Sequence, residues 1–133
     1  MTSIDETLRA GLMAHQTQEF DIAATYYRKV LDAEPMHPEA NHAVGLLLIA
    51  DNQGDAAIPF LLRALQASEE AGVILWFDCL DALLGAARWD EAASLIQQAR
   101  DKGLPSTELD LRELKVLASR AAQNLAASEQ IAL

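Results

Sequence analysis

A chain of 133 residues has room for one domain or one short repeat array, and none for a catalytic domain beside a regulatory one. Ten Lys and Arg against twenty Asp and Glu give a formal net charge of -10, which repels polyanions and argues against nucleic acid or an anionic membrane as partner. The longest unbroken apolar run, Ala43 to Ala50, is far short of the ~20 residues a membrane-spanning helix needs. The N-terminus carries neither the basic stretch nor the hydrophobic region of a signal peptide, so the expectation is a soluble, cytoplasmic protein. The single cysteine, Cys79, cannot close an internal disulfide.

Taken in chain order, the apolar periodicity predicts helices over about 4–17, 20–33, 38–51, 55–67, 73–86 and 89–102. The breaks between them have local causes. A polar stretch from Thr17 to Glu19 separates the first two helices, Pro35 and Pro38 separate the second from the third, and Asn52 to Gly54 supply turn residues before the fourth. Pro59 falls near the first turn of the fourth helix, where it forfeits about one backbone hydrogen bond. Gly103 and Pro105 close the sixth helix. A seventh is predicted over about 107–125, starting after Ser106 or Thr107, with Glu108 and Asp110 suited to its N-terminal dipole. Its stripe of Leu111, Leu114, Ala118, Ala121 and Leu125 is expected to cover the open end of what precedes it, and the Ala-rich tail from Ala126 to Leu133 is expected to fray.

The first six helices form three units of about 34 residues. With Ile4, Pro38 and Val73 as starting points, Gly11 aligns with Gly45, Ala23 with Ala57 and Ala92, Tyr27 with Leu61 and Ile96, and Val30 with Ala64 and Ala99. Phe20 and Trp89 share a further slot. Small residues let two helices approach and large ones fill the space between successive pairs. This spacing resembles the tetratricopeptide repeat over roughly residues 4–105, with repeats at about 4–37, 38–71 and 73–105. Leu80 departs from the small residue of the eighth position, and Glu69 from the proline of the thirty-second. The resemblance implies an all-α fold: a superhelical stack of three helix pairs plus a C-terminal capping helix, an α-solenoid, forming a single domain.

No catalytic or metal-binding pattern emerges, and no cofactor is expected. The six glycines are too scattered for a phosphate loop, and His37 and His42 lie five apart, off the spacing that places two ligands on one helix face. Cys79 sits in an apolar stretch beside Asp78 and Asp81, which raise a thiol pKa and suit a packed core cysteine. The expected function is therefore recognition. In a stack of this kind the first helix of each pair lines a concave groove, and helical spacing together with the resemblance assigns to it Leu8, Leu12, His15, His42, Leu46, Ile49, Phe77, Asp78 and Asp81. An apolar groove with acid at its edge suits a peptide or amphipathic helix carrying a basic residue. The carboxylate clamp of co-chaperone repeats requires Lys and Asn where this chain has Leu8, Leu12 and Ala43.

The alternative is that Leu8, Leu12, Leu46, Ile49 and Phe77 are core, or are covered by the last helix or a second copy. A narrower resemblance, carried by His37-Pro38-Glu39-Ala40, Trp76, Ala82-Leu83 and Gly103-Leu104, is to the N-terminal repeat segment of bacterial O-linked N-acetylglucosamine transferase-like and sulfotransferase proteins. It implies a bacterial origin and, as a second function, a domain that orients substrate for a larger enzyme. Self-association into a homodimer is the third.

Overall fold

The computed structural model describes residues 2–132, with side chains through residue 130. Among the described residues the chain is all-helical: α1 (Ile4–Gln16), α2 (Phe20–Ala33), α3 (Pro38–Ala50), α4 (Gly54–Ala67), α5 (Val73–Gly85), α6 (Trp89–Asp101) and α7 (Ser106–Ala132). The chain divides into two compact units, Met1–Cys79 and Leu80–Leu133, and the division falls inside α5. Neighbouring helices pack in order, α1 on α2, α2 on α3 and α3 on α4 in the first unit, and α6 on α7 in the second.

The helix starts follow from short-range chemistry. Ser3 caps α1 by accepting a hydrogen bond from the Glu6 backbone N–H at 3.1 Å, with Asp5 and Glu6 in the first turn. His37 caps α3, its Nδ1 accepting from the Ala40 N–H, and Pro38 takes the first position, where no N–H is needed. Pro59 lies inside α4, which runs unbroken from Gly54 to Ala67.

One turn geometry recurs three times. Gln18, Asn52 and Ala87 all adopt left-handed backbone conformations, with φ of 62°, 58° and 58°. At each site the residue that follows returns its N–H to the helix just ended: Glu19 to Ala14 O, Gln53 to Leu48 O and Arg88 to Leu83 O. Each of these residues then supplies the carbonyl that starts the next helix, accepting from Ala23, Ala57 and Ala92. Those three alanines are fully buried. The periodicity seen in the sequence is thus matched by a repeated backbone hydrogen-bond pattern.

Close approach within a helix pair depends on the absence of a side chain at two positions. A Cβ on Gly11 would stand 2.7 Å from Tyr27 Cε1, and one on Gly45 would stand 2.6 Å from Leu61 Cδ2. Tyr27 and Leu61 are completely buried, so each glycine is the socket for the large residue of the second helix. The core of the first unit includes Leu8, Ala14, Ala23, Tyr27, Val30, Ala40 and Ala43, with Ile4, Leu12, Leu31, Val44 and Leu47 packed against it. Asn41 is buried among them and ties the α2–α3 connection, its Nδ2 donating to Pro35 O at 3.0 Å and His37 O at 2.9 Å.

In the second unit Leu80, Leu83, Leu84, Ala92, Leu95, Ile96, Ala99, Leu109 and Val116 are buried. Leu80, in the slot that holds glycine in the first two repeats, is 0 % exposed. The seventh helix differs from expectation twice. It continues to Ala132 through the tail expected to fray, with Leu133 outside the described residues. It also buries the other face: Leu109 and Val116 point inward, while Leu111, Leu114, Leu117 and Leu125 are between 51 % and 63 % exposed. With the Leu109–Val116 face inward, Arg112, Glu113 and Arg120 reach Asp81, Arg100 and Asp90.

Candidate functional site

The residues assigned to a groove share a register on α1 and α3. Leu8, Leu12 and His15 fall four and three apart, and His42, Leu46 and Ile49 repeat the same steps one unit later. The structure treats these equivalent positions differently. Leu8 is 6 % exposed and belongs to the core, since the first turns of α1 close over α2, so it offers no surface to a partner. Leu12 is half-buried and packs on the same core. His15 is half-buried, with Nδ1 sharing a 3.0 Å hydrogen bond with the Tyr27 hydroxyl and its ring edge-on to Phe20. Burial raises the Tyr27 pKa, so the hydroxyl stays protonated as part of this contact.

On α3 the side chains open outward. Leu46 and Ile49 are 38 % and 40 % exposed. Above them His42 Nε2 donates to Asp78 Oδ2 at 2.8 Å, joining α3 to the first part of α5 across 36 residues of sequence. Phe77, beside Asp78, is half-buried. His42 and Asp78, brought together here, were separate candidates in the sequence. The result is an apolar α3 surface bounded on one side by a histidine–carboxylate contact.

Asp81 belongs to the second unit and is already engaged. Both of its oxygens accept from Arg112 of α7, from Nε at 2.8 Å and from Nη2 at 3.0 Å, and Glu108 closes on the same guanidinium from 3.2 Å. Asp81 first, and then Glu108, hold the Arg112 pKa above its ordinary value. This cluster rims a cleft of about 580 Å³ whose walls include Leu84, Gly85, Trp89, Leu111 and Lys115. The acids expected to await a basic partner therefore have internal partners, His42 for Asp78 and Arg112 for Asp81. Arg112 was missed by sequence reading because its partner lies 31 residues away, and no local signal links them.

Cys79 sits next to Asp78 but faces inward. It is 1 % exposed and its thiol donates to Leu61 O at 3.4 Å. Burial, and then Asp78, push its pKa up to about 12, so at neutral pH it is an unreactive thiol and no nucleophile. Among the described residues no group of three or more His, Cys, Asp or Glu side chains could hold a metal ion, and no helix is long and apolar enough to cross a membrane. Leu46 and Ile49 offer apolar area, and the nearby acids Asp78 and Asp81 are already paired. No protein-family model matches the chain, and no curated protein matches it as a relative.

Proposed function

We propose that this chain is a non-enzymatic protein-interaction module of the tetratricopeptide type, an α-solenoid of three helix pairs and a terminal helix, working in a bacterial cytoplasm. Its ligand is a peptide or amphipathic helix that lays an apolar side on Leu46 and Ile49, with Leu12, His15 and Phe77 at the margin. The observation that carries this reading is the pair of half-open apolar side chains on α3, one turn from the His42–Asp78 contact, on a helix whose opposite side is packed on α2 and α4. The three recurring turns support the repeat architecture.

Because Asp78 and Asp81 have partners of their own, a basic side chain on the ligand would have to displace a histidine or an arginine. Recognition is therefore led by apolar contact, and charge adjusts it at the rim. The test is a selection of peptides from a random library on the immobilised protein, followed by affinity measurement with Leu46→Asp and Ile49→Asp. Selected peptides should lose at least roughly tenfold in affinity in both variants, equivalent to about 1.4 kcal/mol each. Peptides that bind both variants as well as the wild type would remove α3 from the site.

A further inference from the structure

The outer face of α7 repeats with a period of 3.5. Leu111, Leu114, Ala118, Ala121, Leu125 and Ser128 follow one another at alternating steps of three and four, the spacing of a coiled-coil seam. No charge interrupts this series. The helix is fixed by its other side, where Leu109 and Val116 are buried and Arg112, Glu113 and Arg120 are each in a salt bridge. Beyond Arg120 that anchoring ends: every residue from 121 to 130 is exposed. A helical segment of this length is marginal in water without tertiary packing.

We propose that α7 pairs with α7 of a second copy of this chain, antiparallel, across the Leu111–Ser128 seam. Antiparallel register sets Leu114 against Leu125 of the second copy and Ala118 against Ala121, so large residues meet large and small meet small in each layer. The two alanine layers let the helices approach closely at the centre. Lys115 then flanks Glu129 of the second copy, an opposite-charge pair repeated twice by the symmetry. Leu117 lies beside the seam and is covered as well.

Two chains of net charge -10 repel, so complementary charge has to lie beside the seam itself, and Lys115 facing Glu129 of the second copy supplies it, while Arg112 and Arg120 are held by Asp81 and Asp90 of their own chain. The antiparallel arrangement lays each exposed C-terminal half along the anchored half of the other α7 and opposes the helix dipoles. A parallel pair would leave both C-terminal halves supported only by each other. The seam of 18 residues is roughly 27 Å long and one helix wide. That is short of the roughly 800 Å² per partner of a standard interface, so the pairing is expected to be reversible and concentration-dependent.

The experiment is light scattering coupled to size exclusion on the full chain over about 1 to 500 µM, with circular dichroism as the folding control. The mass should rise from 14.5 kDa toward twice that value. Leu114→Glu and Leu125→Glu should each hold it at 14.5 kDa with helicity of the anchored half retained. Orientation is read by mild oxidation of variants that each add one surface cysteine to the buried Cys79: Leu114→Cys mixed with Leu125→Cys should form the mixed disulfide several-fold faster than either variant alone. The wild type, whose thiol is buried, is the blank. A wild type that stays monomeric throughout, a dimer that survives both glutamate variants, or Leu114→Cys that links best to itself would each overturn the proposal. None of these residues belongs to the α3 surface, so peptide binding can fail or succeed independently.

Discussion

Single residues carry the repeat's geometry. Gly11 faces the ring of Tyr27, which is buried and held by a hydrogen bond to His15, while Gly45 faces Cδ2 and Cγ of Leu61, which is buried but held by no such bond. Overpacking costs about 1–3 kcal/mol, against a helix-propensity gain of about 1 kcal/mol for replacing glycine with alanine. Gly11→Ala should therefore be net destabilising, and more so than Gly45→Ala, in urea unfolding; equal midpoints would mean that Tyr27 yields as easily as Leu61. Ala87 presents the opposite case. It holds φ 58° with a Cβ, a conformation costing an L-residue about 1–2 kcal/mol, whereas the equivalent Asn52 tolerates it. Ala87→Gly should raise the unfolding midpoint by part of that strain, the remainder being offset by the freer unfolded chain. Asn41 is buried and bonds two carbonyls of the α2–α3 connection, so Asn41→Ala should cost about 1–3 kcal/mol and leave Pro35 O and His37 O without these donors.

At the scale of the element, α7 shows why an apolar stripe does not by itself name the buried face. Two stripes run along it, one through Leu109 and Val116 and the other through Leu111, Leu114, Ala118, Ala121 and Leu125. The second is longer and was the natural choice, yet the first is buried because it brings Arg112, Glu113 and Arg120 into reach of opposite charges on α5 and α6. Individual exposed ion pairs contribute little, about 0–1 kcal/mol, but three on one side are enough to bias rotation between two apolar faces of similar worth. The asymmetry is measurable. Leu109→Ala should cost about 2–5 kcal/mol, and Leu114→Ala no more than about 0.5 kcal/mol, when both are unfolded at concentrations low enough to keep the protein monomeric. Similar losses at both positions would mean that the two faces share the packing.

For the whole molecule, the titrating group that matters most on the alkaline side is Cys79. Its thiol has a pKa of about 12 in the folded protein against an ordinary value near 9, because burial and then Asp78 disfavour the thiolate. The unfolded chain loses that proton first as pH rises, so the contribution to stability is complete below pH 9 and is lost between about pH 9 and 12. Tyr27, also raised by burial, acts in the same direction. Urea midpoints should therefore fall over this range, less steeply in Cys79→Ala than in the wild type. A parallel fall in the two proteins would show that Cys79 is accessible to solvent in the native state.

The sequence by itself determined where the first six helices begin and end and where the turns between them lie, while α7 runs past the end expected for it. Those features depend on contacts within four or five residues: caps at Ser3 and His37, proline at Pro38, the left-handed positions at Gln18, Asn52 and Ala87, and i to i+4 bonding between them. It also placed Tyr27, Leu61 and Ile96 in the core, because alternation of small and large residues at fixed offsets needs no knowledge of the partner helix. Only the tertiary structure decided which apolar residues stay open. Leu12 and Leu46 occupy the same repeat position, and the first is half-buried against the core while the second is 38 % exposed, because their neighbours in space differ although their neighbours in sequence correspond. It likewise decided that Asp78 meets His42 and Asp81 meets Arg112, pairings 36 and 31 residues apart. Charge attraction is unspecific about sequence separation, so the choice among many cations passes to whichever one the packed helices carry within reach.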